Sequence, residues 1–231
     1  MGARTDIEVP GVGKVGGWLA GPAQPARGAL VVVQEIFGVN PHMRSVTDRY
    51  ADEGFLALAP AMYDPVERDV ELGYDEPGFA HGRALAASLG FERAVSIVAA
   101  AADALCARLE PGQGRRVGVV GFCWGGSVAY LGNTRLGLPA VSYYGARTVP
   151  FLHEPLRAPM LFHFGGHDQS IPEQDIEAHR RAKREAMIHV YPAGHAFNRD
   201  VDPRHYDADS ARLSDQRTLE FLDQVLPPSA N

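Results

Sequence analysis

Apolar residues along the chain fall into short continuous runs that alternate with segments of helical spacing. The runs have the length and character of strands, and they are residues 28–34, 55–59, 116–120, 140–144, 160–164 and 187–191. The run 28–34 is of the kind that is buried on both faces of a sheet, and the run 160–164 also predicts a buried strand. The helical patterns lie at residues 41–54, 83–109 (with a break near Gly90), 127–131, 173–186 and 210–225. The Gly- and Pro-rich segment before Pro25 predicts a hairpin at the sheet edge. This alternation predicts an α/β fold with a mostly parallel central sheet and helices on both faces.

The length and composition bound the number of domains and the compartment. A chain of 231 residues with 45% hydrophobic content can bury one large core, so residues 1–231 are predicted to form a single domain. The longest apolar stretch, residues 94–106, is interrupted by Ser96 and Asp103 and predicts a core-facing helix rather than a membrane span. Residues 1–6 lack the apolar region of a secretory signal, which favours a cytoplasmic protein.

Charge and cysteine content exclude further classes. The formal net charge of −6 and the lack of a basic block argue against a nucleic-acid partner. The two cysteines, Cys106 and Cys123, form no disulfide framework, which fits a reducing cytoplasm. Cys106 lies on the apolar side of its predicted helix and is expected to be a small core residue. His and Cys residues are not spaced as zinc ligands, so no metal is predicted.

A glycine-flanked cysteine stands where one predicted strand gives way to a helix. Residues 121–126 are Gly-Phe-Cys-Trp-Gly-Gly, and they follow the apolar run 116–120. A side chain on so tight a turn projects above the C-terminal edge of the sheet, beside the first amide of the helix, and the glycines let the helix close onto the strand. The pattern predicts that Cys123 is a nucleophile. The alternative is an inert cysteine in a Gly-rich turn.

Two titratable residues follow the ends of other predicted strands. Asp168 comes after the run 160–164, and His195 comes after the run 187–191. Open α/β sheets build their sites at this edge. The chain order Cys123, Asp168, His195 is the nucleophile–acid–base order of α/β-hydrolases, and it differs from the chymotrypsin-like and subtilisin-like orders. It favours a catalytic triad over three structural residues, although Asp and His often occupy turns and caps.

Five sequence blocks together resemble the dienelactone hydrolase family of α/β-hydrolases. The blocks are residues 34–40 (Gln-Glu-Ile-Phe-Gly-Val-Asn), 121–126, 143–145 (Tyr-Tyr-Gly), 165–168 (Gly-Gly-His-Asp) and 193–197 (Ala-Gly-His-Ala-Phe). The resemblance implies the α/β-hydrolase fold. It also implies hydrolysis of a small lactone such as a dienelactone, or of a related ester, in the breakdown of aromatic compounds and without a cofactor.

The resemblance assigns roles to matching positions. It implies Cys123 as the nucleophile of an acyl-enzyme mechanism, His195 as the base and Asp168 as the residue that orients the base. It makes Glu35 the carboxylate that holds the resting thiol. The implied oxyanion donors are the backbone N–H groups of Ile36 and Trp124. The residues expected near the substrate are Phe37, Tyr144, Phe197, Arg199 and Arg83.

Two departures from the family pattern affect the predicted substrate more than the chemistry. Members that act on dienelactone follow the catalytic histidine with Ser, whereas this chain has Ala196. Members also carry an Arg and aromatics before the long helix to grip a substrate carboxylate, whereas Arg83 is the evident cation in residues 78–86. Arg199 is therefore the main candidate to bind such a carboxylate at the mouth of the site, with a salt bridge to Asp200 or Asp202 as the alternative.

The sequence leaves other functions open. Residues 63–82 lack periodicity and predict a loop over the site. A pocket lined by Phe37, Phe79, Trp124 and Phe197 but without cations would favour a thioesterase or acyl-transfer enzyme on longer acyl chains. A non-catalytic binding protein of the same fold would not need all three triad residue types. The expected partner is a small lactone or ester, and the expected assembly is a monomer or small homo-oligomer.

Overall fold

The computed structural model describes residues 1–110 and 116–226. Its strands are β1 (Ala3–Val9), β2 (Gly13–Ala20), β3 (Gly28–Val33), β4 (Phe55–Pro60), β5 (Val117–Phe122), β6 (Ala140–Tyr143), β7 (Met160–Gly165) and β8 (Met187–Tyr191). Its α-helices are α1 (Pro41–Asp52), α2 (Glu76–Cys106), α3 (Trp124–Leu136), α4 (Glu173–Ala182) and α5 (Ala208–Val225), with one 3₁₀ turn at Val149–Phe151.

These strands form one sheet within the described residues, in the order β1-β2-β4-β3-β5-β6-β7-β8. The strands β1 and β2 are an antiparallel hairpin, and β2 pairs antiparallel with β4. The pairs from β4 through β3 to β8 are parallel. The predicted edge hairpin and the predicted parallel sheet are therefore both confirmed.

Helices cover both faces of the sheet, and neighbouring residues on β7 demonstrate it. The ring of Phe162 packs against Tyr130 on α3 and His179 on α4, with ring centroids 5.8 and 5.2 Å away. The side chain of His163 points the other way and contacts Thr218 on α5. Because successive side chains of a strand face opposite sides, α3 and α4 lie on one face and α5 lies on the other.

The long helix begins earlier than the sequence pattern predicts. The pattern predicts an irregular loop over residues 63–82, but α2 begins at Glu76. The Asp75 side chain caps it by accepting a hydrogen bond from the Gly78 amide, and a proline fits the first turn. Gly82 looks like a loop residue in the sequence, but it lies within α2. A glycine is needed there because a Cβ would overlap the Ile36 carbonyl oxygen. Close packing explains this glycine.

Residues 63–75, named the strap, do cross above the sheet, and they are fastened to the turn that comes after β3. The Leu72 amide donates to the Phe37 carbonyl at 2.9 Å. Gly38 and Glu71 form an antiparallel bridge. The strap is therefore part of the wall around the C-terminal edge of the sheet.

The helix α2 is a core helix. By length and composition it could cross a membrane, but half of its most apolar window is buried inside the fold. It also breaks at Gly90, where the backbone has φ +72° and ψ 161°. The break that the sequence predicts near this residue is confirmed.

Replacing Gly90 with alanine should destabilise the fold by about 1–3 kcal/mol, because a residue with a Cβ is strained in this backbone conformation. Steric overlap does not contribute, since a Cβ at Gly90 meets nothing within 4 Å. Urea unfolding would measure the change. Ser88→Ala, on the exposed side of the same helix, is the matched control and should leave stability unchanged or slightly higher. An equally stable Gly90→Ala variant would contradict the expected strain.

Candidate active site

The thiol of Cys123 lies on a strained turn between β5 and α3. Cys123 has φ +56°, a region that L-residues seldom adopt. Gly121 makes the turn sterically feasible, because a Cβ there would overlap the Gly125 carbonyl oxygen. Such strain persists where the surrounding structure enforces it, and it is concentrated at functional sites.

The structure brings the three predicted catalytic side chains into one hydrogen-bonded row. The Nε2 atom of His195 is 3.2 Å from the Cys123 Sγ atom. The Nδ1 atom of His195 is 2.6 Å from Asp168 Oδ2, and the other Asp168 oxygen accepts the Ser170 amide at 2.8 Å. The Asp168 side chain is fully buried, whereas 23% of the His195 side chain is exposed. The row can therefore pass a proton between sulfur and imidazole while the carboxylate sets the tautomer.

Electrostatics favour the protonated imidazole in this row. Burial lowers the pKa of His195, but the adjacent Cys123 and the Asp168 carboxylate outweigh burial and raise the pKa to about 10. An imidazolium beside the sulfur stabilises a thiolate, which is the nucleophilic form of cysteine. The geometry thus fits nucleophilic chemistry at sulfur.

The loop between β8 and α5, residues 192–207, carries His195 and is named the histidine loop. Aromatic packing holds it in place. Ala196 has φ +62° and is fully buried. Phe197 is fully buried too, with its ring 5.4 Å from that of Tyr144 and 5.1 Å from that of Tyr191. The Tyr144 ring also lies edge-on to His195 at 5.2 Å. Tyr144 and Phe197, both predicted near the substrate, pack around His195 and its loop, and their direct contact with substrate stays a prediction.

Arg199 lies in the interior, paired with Glu35. Its Nε and Nη2 atoms each donate to a Glu35 oxygen at 3.0 Å, and its Nη1 atom donates to Asp202 at 3.1 Å. Arg199 and Glu35 are each only 1% exposed. Burial lowers the pKa of Arg199, but the Glu35 carboxylate more than reverses this and raises it.

This pairing corrects two expectations. Arg199 does not present a free guanidinium at the mouth, because its donors are taken by two carboxylates and its faces are covered by Tyr74 at 4.5 Å and Phe37 at 5.2 Å. Both Glu35 oxygens are bound to Arg199 rather than to the thiol, whose hydrogen-bond partner is His195. The alternative of an Arg199–Asp202 ion pair is present, but it is buried rather than at the surface.

Asp202 joins this buried pair to the surface. Arg204 donates to both of its oxygens, and His205 lies 2.9 Å from one of them. The Arg204 hydrogen bond is the main cause of a lowered pKa for Asp202. The stability that this carboxylate contributes is therefore present above its unfolded pKa of about 3.9 and lost as the pH falls below it.

The two predicted oxyanion donors belong to adjacent turns. Trp124 begins α3, where the first N–H groups of a helix lack intrahelical partners. Gly125 abuts the end of β3, since a Cβ there would overlap the carbonyl oxygens of Val33 and Gln34. This close approach places the turn that carries Ile36 next to the turn at Cys123. The oxyanion role of both amides stays a prediction.

The remaining predicted substrate contacts differ in exposure. Phe37 is 1% exposed and packs edge-on against Phe79 at 4.9 Å, so it belongs to the wall of the site. Arg83 is exposed on α2. Among the described residues, no group of three or more His, Cys, Asp or Glu side chains is arranged to hold a metal ion.

The sequence motifs assign no role to two tyrosines of the strap. Tyr74 covers Arg199, and its hydroxyl accepts a hydrogen bond from the Asn40 amide at 3.0 Å. Tyr63 packs against Trp124 with ring centroids 5.8 Å apart. Neither residue lies in a periodic segment, so the one available signal was the presence of buried-type aromatics in an otherwise polar stretch.

The parallel sheet, with a cysteine, a histidine and an aspartate in one hydrogen-bonded row at its C-terminal edge, has the architecture of an α/β-hydrolase. The chain belongs to the dienelactone hydrolase family, whose sequence profile matches residues 15–226.

Individual relatives agree with this assignment. An Escherichia coli protein named "Putative carboxymethylenebutenolidase" is 39% identical over 219 residues, covering 84% of this chain and 76% of its own length. The carboxymethylenebutenolidase of Pseudomonas sp. is 30% identical, covering 96% of this chain and 94% of its own length. A crystal structure from Klebsiella pneumoniae, described as a "Putative Dienelactone Hydrolase", has a TM-score of 0.82 at 30% identity and covers 97% of this chain and 99% of its own.

Proposed function

We propose that the chain hydrolyses a small lactone or ester through a Cys123–His195–Asp168 triad with an acyl-enzyme intermediate. Membership of the dienelactone hydrolase family makes it a hydrolase of ester or lactone bonds in a small molecule. The main support for the triad is the hydrogen-bonded row of the Cys123 sulfur, the His195 imidazole and the buried Asp168 carboxylate, with separations of 3.2 and 2.6 Å.

The first half of the reaction forms a thioester. His195 takes the thiol proton on Nε2, and the Cys123 thiolate attacks the carbonyl carbon of the substrate. The carbonyl oxygen becomes an oxyanion, which the amides of Ile36 and Trp124 stabilise. When this intermediate collapses, the C–O bond of the ester breaks and the leaving oxygen takes the proton from His195. In a lactone the leaving oxygen stays tethered to the acyl group.

The second half releases the acid. His195 accepts a proton from a water molecule, and the resulting hydroxide attacks the thioester carbon. Collapse breaks the C–S bond, returns the proton to sulfur and leaves the product carboxylic acid. Asp168 keeps Nδ1 of His195 protonated throughout, so that Nε2 faces the sulfur.

The charges around the site bear on the substrate class. Glu35 and Asp202 neutralise the charge of Arg199, so this arginine is not expected to select substrates that carry a carboxylate. The names of the relatives point to carboxymethylenebutenolides, the dienelactones of aromatic-compound breakdown, as the first substrates to test. We further propose that the enzyme is cytoplasmic, forms a single domain over residues 1–231 and acts as a monomer or small homo-oligomer.

A direct test combines turnover with trapping of the acyl group. The protein is mixed with p-nitrophenyl acetate, quenched in acid and analysed by peptide mass spectrometry. We expect acetylation on Cys123, and we expect prior treatment with iodoacetamide to abolish both turnover and acetylation. Turnover that survives complete alkylation of Cys123 would overturn the proposal. A panel of dienelactones, simple lactones and acyl thioesters then ranks substrates by kcat/KM.

Replacing Asp168 with asparagine should lower kcat roughly 10³–10⁴-fold, because the amide stabilises the wrong tautomer of His195. The matched control is Asp200→Asn, since Asp200 follows His195 in the chain and contacts His42 and Arg49 rather than the triad. Steady-state kinetics with p-nitrophenyl acetate would measure both variants. Full activity in Asp168→Asn would remove Asp168 from the mechanism.

A further inference from the structure

The helix α5 carries an acid that contacts two catalytic elements without belonging to the triad. One oxygen of Asp215 accepts a hydrogen bond from the Asn198 side-chain amide at 2.8 Å. The same oxygen accepts a second hydrogen bond from the Tyr143 hydroxyl at 3.1 Å. Asn198 lies on the histidine loop, three residues after His195, and Tyr143 ends β6. Asp215 therefore joins the histidine loop to the sheet.

Tyr143 continues the connection to the nucleophile. Its backbone carbonyl accepts the Cys123 amide at 2.9 Å. Its ring stacks on Phe122, the residue before the nucleophile, with centroids 4.7 Å apart. Its hydroxyl also lies 2.6 Å from the Thr218 hydroxyl, which in turn contacts His163. Moving Tyr143 would break its hydrogen bonds with the buried Thr218 hydroxyl and with the Cys123 amide, so it is a rigid point of attachment.

The histidine loop needs such an attachment. Ala196 holds it in a left-handed conformation that the chain would not adopt by itself. Beyond Ala196, Asn198 and Arg199 anchor the loop to other elements through their side chains. Asn198 and Asp215 line a cavity of about 100 Å³ between α1 and α5. Because this space leaves Asn198 without full packing on that side, its hydrogen bond to Asp215 contributes to holding the loop there.

We propose that Asp215 is a positioning residue that sets the distance between the Cys123 sulfur and the His195 imidazole. It does so by tying the histidine loop, through Asn198, to the nucleophile turn, through Tyr143. This inference rests on the proposed function, in which these two side chains react. Proton transfer over 3.2 Å is sensitive to geometry, and a displacement of about 1 Å is enough to cost roughly 10²-fold in rate.

The test compares two broken links with one restored link. The broken links are Asp215→Ala and Asn198→Ala. The restored link is the exchanged pair Asn198→Asp with Asp215→Asn, which keeps one amide and one carboxylate facing each other. Glu220→Ala is the matched control, because Glu220 is an exposed acid on α5 whose side chain contacts Gln216. Each variant is assayed for kcat and KM with p-nitrophenyl acetate, for the rate of Cys123 alkylation by iodoacetamide, and for thermal unfolding.

We expect each broken link to lower kcat about 10- to 100-fold with KM within about twofold, and to slow alkylation, because the imidazole no longer supports the thiolate. The exchanged pair should recover most of both losses, and Glu220→Ala should match the wild type. If Asp215→Ala does not fold, Asn198→Ala carries the same test with α5 intact.

Two outcomes would overturn the inference. One is a folded broken-link variant that keeps wild-type kcat and alkylation rate, whatever its melting temperature, since the link would then be merely structural. The other is an exchanged pair no better than the worse single variant. Failure of the proposed function looks different, because the wild type itself would not hydrolyse the ester while the alkylation comparison could still be made.

Discussion

Replacing Cys123 with alanine is expected to abolish hydrolysis, by roughly 10⁴-fold or more in kcat, with the fold intact. Alanine removes the sulfur but keeps a Cβ, so the strained turn at φ +56° changes little and only the contact to His195 is lost. Cys123→Ser should retain weak activity, because a hydroxyl is far harder to ionise than a thiol. Kinetics with p-nitrophenyl acetate and a thermal melt of each variant would measure both effects.

The second cysteine provides the matched control for this prediction. Cys106 is a free, partly buried residue at the end of α2. Cys106→Ala should therefore keep its activity and its inhibition by iodoacetamide. Near-normal turnover in Cys123→Ala, or loss of inhibition in Cys106→Ala, would mean that the reactive thiol had been misassigned.

Replacing Arg199 with alanine is expected to destabilise the protein by about 3–5 kcal/mol, which is the usual effect of removing one partner of a buried ion pair. The variant would leave the Glu35 carboxylate without either of its hydrogen bonds and Asp202 without its buried partner. Activity should fall on carboxylated and neutral substrates alike, because Glu35 and Phe37 flank Ile36 in the wall of the site. Urea unfolding at neutral pH would measure the stability change.

Arg204 offers a control that shares a partner with Arg199. It also binds Asp202, but its side chain is 64% exposed, so Arg204→Ala should destabilise the protein far less than Arg199→Ala. The activity arm compares kcat/KM for a carboxylated lactone with that for its methyl ester. A stable Arg199→Ala variant that loses rate only on the carboxylated lactone would restore the carboxylate-binding role expected from the sequence.

Local sequence was sufficient for most of the secondary structure, though not for the start of α2 at Glu76, and for the chain order of the three candidate catalytic residues. Buried parallel strands are continuous apolar runs, and glycines mark where the chain turns, so β3 to β7 and the turn at Cys123 could be located without tertiary information. The edge strand β8 is partly exposed, but it is also a short, mostly apolar run. Parallel strands end at the same edge of their sheet, so the residues just beyond those ends are brought together there. For this reason Asp168 and His195 could be predicted to lie near the sulfur. Gly90 could be recognised in the same way, as a glycine inside a helical pattern.

Tertiary structure decided what depends on partners far apart in the chain. Glu35 and Arg199 are 164 positions apart, and no spacing rule reveals that each satisfies the other in the interior. The same holds for Asp215, whose chemistry comes from Tyr143 and Asn198 on two other elements. A side chain's role depends on whether its charge is exposed or compensated, and only the packed fold determines that. The sequence alone therefore identified the candidate reactive groups, whereas the packing decided which charges remain available to a substrate.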